Sequence, residues 1–167
     1  MPDPHDTLSI FAEVSVALAG FSGVVIAFGR RSVGVLTQLE TRRLFNLFTF
    51  SGLVLILSLL GISLLHVESI DASSLWRGGS AVLVLIGIPW LIFDWHKIRR
   101  LEPEERSKVY GYVIYPFTVI AVFVLLLQLA NTLFLGSAWP FFVALVLQVI
   151  FAFQQFILLI QAGLRDG

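Results

Sequence analysis

LFNLFTFSGLVLILSLLGISLLH, Leu44–His66, runs for 23 residues without an Asp, Glu, Lys or Arg. A transmembrane helix needs ~20 consecutive, mostly apolar residues. It is favoured in lipid because a helix bonds its own backbone polar groups within the segment. Reading outward from this stretch gives four more runs of the same kind: Leu8–Phe28, Leu75–Trp95, Val109–Leu135 and Trp139–Gln161. Together they predict an all-α integral membrane protein, a bundle of five transmembrane helices forming one domain over residues 1–167.

Composition agrees. The chain is 57% hydrophobic and 13% charged, with a mean hydropathy of +0.92. Soluble domains are about a quarter charged, so this surface requires a bilayer as its partner. The segment before the first run holds Asp3, His5 and Asp6 and no Lys or Arg. A secretory signal carries a basic start and a shorter apolar stretch, so the first run is read as a retained helix.

The cations sort by side. Arg30, Arg31, Arg42 and Arg43 lie between runs one and two, Lys97, Arg99, Arg100, Arg106 and Lys108 between three and four, and Arg165 after five. Arg77 alone falls on the opposite side. Loops rich in Lys and Arg stay cytoplasmic, so the expected topology puts the N-terminus outside and the C-terminus inside. That points to a multi-pass protein of a cell membrane, of the bacterial inner-membrane kind. Thr37 with Glu40 has capping-box spacing. Thr7 is read as the cap of the first helix, Ser73 or Ser74 of the third, and Ser137 of the fifth.

In lipid the small and polar residues carry the information. Ser15, Ala19, Gly23 and Ala27 recur every four residues, with Gly20 beside them, a face on which helices approach closely. Glu13 edges that face, and an intramembrane carboxylate is a functional candidate by default. Sorting by depth predicts two groups. The outer one, an ion pathway or buried polar network, holds Glu13, His66, Arg77, Gln128 and Asn131, with Thr132. The inner one holds Asn46, Asp94, His96, Gln154 and Gln155, with Tyr112 and Tyr115. The plainer reading of the amides and hydroxyls is glue between helices. Asp94, His96, His66 and Arg77 can also simply reach the headgroups.

Several classes drop out. The chain has no cysteine, which removes thiolate metal sites and cysteine nucleophiles. HExxH, GxSxG and P-loop motifs are absent from it, and no lysine lies inside a run to form a retinal Schiff base. His66 and His96 sit at opposite ends of their helices and cannot sandwich one haem within a protomer. No enzyme, no cofactor, no metal site and no nucleic-acid partner is expected. The sequence leaves two readings. One is an oligomeric cation or proton channel or transport protein using Glu13. The other is an accessory or scaffold subunit that packs against a partner membrane protein.

Overall fold

The computed structural model describes residues 3–33, 38–100 and 114–165, with side chains over 3–23, 38–97, 99–100 and 116–161. All regular structure among the described residues is helical. Helix α1 spans Pro4–Val33, α2 Gln38–Leu65 and α3 Ala72–Arg99. Helix α4 spans Ile114–Ala130 and widens into a π-helical turn, Asn131–Leu135; α5 spans Ala138–Arg165.

Four helical stretches among the described residues are long and apolar enough to cross a membrane: Gln38–Leu65, Ala72–Lys97, Pro116–Leu135 and Ala138–Gln161. The exposed side chains fit lipid. Leu85, Phe123 and Phe134 are each more than 70% exposed, on a surface that would aggregate in water. At 30 residues α1 reaches ~45 Å, and its length suffices to cross. Over its described side chains it is less apolar, because Asp6, Thr7, Ser9, Glu13 and Ser15 interrupt the run.

The helix starts differ from the expected caps. Asp3, not Thr7, caps α1: its Oδ1 accepts the His5 N–H at 2.9 Å, and Pro4 occupies the first helical position, where a missing N–H costs nothing. Glu13 thus lies ~15 Å from the cap at 1.5 Å per residue, farther than a start at Thr7 implied. Asp71, not Ser73 or Ser74, caps α3, its Oδ2 accepting the Ser74 N–H at 2.9 Å. Hydrogen bonds from the Ser74 hydroxyl and backbone hold the Asp71 carboxyl below its ordinary value of 3.8. A carboxylate serves better than a hydroxyl at both places because it also complements the positive end of the helix. The expected cap at Thr37 lies outside the described residues, as does the start of the fourth predicted span.

The chain divides into two compact units, Met1–Val67 with Leu145–Gly167, and Glu68–Ala144. In the first, α1 and α2 pack as an antiparallel pair. Leu8 is fully buried over Gly61, where a Cβ would sit 2.9 Å from Leu8 Cδ1. Helix α2 buries Leu47, Phe50, Val54, Leu57 and Gly61, a 3-4-3-4 spacing that keeps one seam inward. On α5, Leu158 O accepts from Arg43 Nη1 at 3.2 Å, and Phe151 meets Phe50 at 5.3 Å between ring centroids. Moving up α2 from Arg43 to Phe50 moves down α5 from Leu158 to Phe151 by the same seven residues, so these helices are also antiparallel.

In the second unit, α3 packs on α4 through Gly87, where a Cβ would lie 2.6 Å from Leu125 Cδ2. Gly79 gives the same clearance to the Phe141 ring, and Trp76 lies between Phe141 and Phe142 at 5.8 and 5.6 Å. In lipid such contacts stabilise through dispersion, since the tails are as apolar as the side chains. Small residues matter because they let those contacts form.

Candidate functional site

Two polar features stand out, one in each unit. The first is a buried knot where the end of α4 meets the start of α5 against α3. Ser80, Gln128 and Asn131 are all fully buried. Ser80 Oγ donates to Gln128 Oε1 at 2.8 Å, and Gln128 Nε2 donates to Pro140 O at 2.7 Å. Asn131 Nδ2 donates to Ser80 Oγ at 2.8 Å and to Ser137 O at 3.0 Å. Its Oδ1 accepts from Ser137 N at 2.9 Å. Thr132 Oγ1 donates to Gln128 O at 2.9 Å. Every side-chain nitrogen and oxygen of Ser80, Gln128 and Asn131 therefore has a partner inside the protein.

Local structure sets up this knot. The π turn ends at Gly136, whose φ of 58° is left-handed and whose N–H donates to Asn131 O at 3.0 Å. A Cβ there would strike Ser73 Oγ and crowd Arg77 Nε. Only glycine avoids both the backbone strain and the crowding. Of the predicted outer group, this unit brings together Gln128 and Asn131, and places exposed Arg77 against the same turn. Ser137 Oγ turns back to Leu135 O at 3.4 Å.

The second feature is the outward side of α1. Among the described side chains of this helix, Leu8, Ser15, Leu18 and Ser22 are buried and Ala19 is half-buried. Ser15 and Ser22 satisfy their hydroxyls on Phe11 O and Ala19 O. Glu13, Ala17, Gly20 and Gly23 are exposed, and a Cβ at Gly20 or Gly23 would meet nothing within 4 Å. Residues 13, 17 and 20 recur at helical spacing and lie on one side. Ala27, the last of the small series, lies outside the described side chains.

The remaining predicted residues are distributed between the units. In the first, Asn46 is buried on α2, and Gln154 and Gln155 are half-buried on α5. The α2–α5 register puts Asn46 level with Gln155. In the second, Asp94 is half-buried and His96 exposed near the end of α3. Tyr112 lies outside the described residues, and the Tyr115 side chain outside the described side chains. Among the described residues, the buried side-chain atoms without a hydrogen bond are Ser58 Oγ and Gln148 Oε1, both in the first unit.

His66 lies exposed just beyond α2, its Nδ1 2.8 Å from Ile62 O. Its ring meets that of His5 edge-on, with centroids 5.6 Å apart. The sequence reading missed this pair. The antiparallel pairing of α1 with α2 makes the contact, and no local spacing announces it.

The chain matches no protein family, no curated protein and no solved structure.

Proposed function

We propose that this membrane protein works as an oligomer, with the exposed side of α1 at the contact and Glu13 handling a cation or proton there. The observation that carries the reading is the open α1 face. It sets a carboxylate beside alanine and glycines with free space over them. A carboxylate facing lipid costs about 2.5–3.5 kcal/mol at a helix centre by insertion scales, and a neighbouring helix with polar partners or water offsets that cost. Every side-chain nitrogen and oxygen of Gln128 and Asn131 is already engaged within the protein, which supports reading that knot as glue. The two unpartnered buried atoms lie in the same unit as Glu13, which supports polar function in that unit. The role is non-enzymatic, in a cell membrane, with the N-terminus outside as the charge sorting favours.

The test combines mass and flux. The parent chain should be a multimer in nanodiscs, and Gly23→Leu should shift it to a smaller species. Glu13→Gln should assemble normally and lose or alter cation flux in liposomes. A parent that stays monomeric in several lipids, or a Glu13→Gln protein with unchanged flux, would sink the reading. Topology is tested by single cysteines at Ser69 and Arg100, at opposite ends of α3: an impermeant reagent outside sealed cells should label the first and spare the second.

The broad apolar surface of α3 and α4, with Leu85 and Phe123 outward, favours a second reading, an accessory subunit seated on another membrane protein. It predicts a monomer when purified alone and no flux.

A further inference from the structure

We propose that His5 and His66 form a two-histidine site for a borderline divalent cation such as Zn2+, Ni2+ or Cu2+, clasping the start of α1 to the end of α2. The inference is independent of the oligomer and of Glu13.

Ring separation comes first. The two imidazole centroids are 5.6 Å apart with the rings at 78°. Two imidazoles bound to one ion at ~2.0–2.1 Å, at a tetrahedral angle, hold their centroids roughly 5 Å apart. The spacing therefore suits a shared ion, and because the rings meet edge to face, one of them turns to aim its lone pair at it.

Orientation comes second. A carbonyl oxygen only accepts, so the 2.8 Å contact of His66 Nδ1 with Ile62 O puts the proton on Nδ1 and leaves Nε2 with its lone pair. That is the usual support of a metal-bound histidine, whose other nitrogen donates to a carbonyl or carboxylate. His5 Nδ1 lies 3.7 Å from Asp6 Oδ1, a contact that favours Nε2 as its ligating nitrogen.

Charge comes third. The C-terminal end of α2 favours a cation. The N-terminal end of α1 opposes one, but Asp3 at its cap and Asp6 in its first turn offset that. Imidazole suits Zn, Cu and Ni over Mg or Ca. No group of three or more His, Asp or Glu among the described residues could hold an ion, so the protein gives two ligands and solvent the rest.

The experiment titrates tag-free protein in detergent with Ni2+ and Zn2+ up to about 1 mM, a range that captures weak binding. Binding should be one ion per chain. It should weaken about tenfold or more in His5→Asn and again in His66→Asn, the scale seen when a site's support is removed. His96→Asn should leave it unchanged. Because a substitution could disturb the helix ends, the unmodified chain supplies a second readout: the Cu2+ EPR spectrum should show coupling to two imidazole nitrogens. No binding, binding that survives either His5→Asn or His66→Asn, or coupling to a single nitrogen would overturn the site.

Discussion

The side-chain amide of Gln128 donates to the main-chain oxygen of Pro140 at 2.7 Å, across twelve residues that reverse the chain. Gln128→Leu removes that bond and the acceptor of the Ser80 hydroxyl. Interhelical hydrogen bonds in membranes average ~0.6 kcal/mol and reach ~1.7, and two are lost. Reversible unfolding in mixed micelles should show a loss of about 1–3 kcal/mol. Parental stability in Gln128→Leu would mean the knot is not structural.

Gly136→Ala tests the turn from the backbone side. Left-handed φ costs an alanine about 1–2 kcal/mol, and its methyl would also press on Ser73 and Arg77. The melting temperature should fall by at least that equivalent. Ser73→Gly in the same chain should recover part of the loss, since it clears one of the two obstacles.

Gly61 and Gly23 should respond oppositely. Gly61→Val forces its side chain into Leu8, and overpacking typically costs about 1–3 kcal/mol. Gly23→Val adds bulk where nothing lies within 4 Å, so protomer stability should hold while assembly changes. Equal thermal losses in the two variants would contradict the assigned α1 faces.

Asp71 gives a pH dependence with a definite sign. Its folded carboxyl titrates below the ordinary 3.8 because Ser74 bonds the charged form. The contribution is present above about pH 3.8 and fades as pH falls through the lower folded value. Amide exchange at Ser74 and Leu75 should therefore quicken in Asp71→Ala at neutral pH. In the parent, protection relative to the intrinsic exchange rate should fall only in acid.

The spans were legible because hydropathy over ~20 residues integrates many weak signals. The caps were less so. Asp3 and Asp71 lie within four residues of Thr7, Ser73 and Ser74, and choosing among neighbouring cap formers depends on fractions of an ångström. Gln128 and Asn131 were visible as polar residues in an apolar run. Their closure onto Ser137 and Pro140 was not, because a backbone carbonyl has no sequence signature. The π turn was hidden for a similar reason, since a widened turn uses the same residue types as an α-helix. His5 and His66 stand 61 positions apart, and only the pairing of their helices brings them together.

The knot also bears on how the chain enters the bilayer. Gln128 and Asn131 would each burden α4 if it crossed alone. Their partners at Ser137 and Pro140 lie within twelve residues of chain, on the next helix to emerge. The α4–α5 hairpin can therefore leave the insertion machinery as one piece with its amides largely satisfied, and Ser80 closes the last two bonds when the hairpin settles against α3.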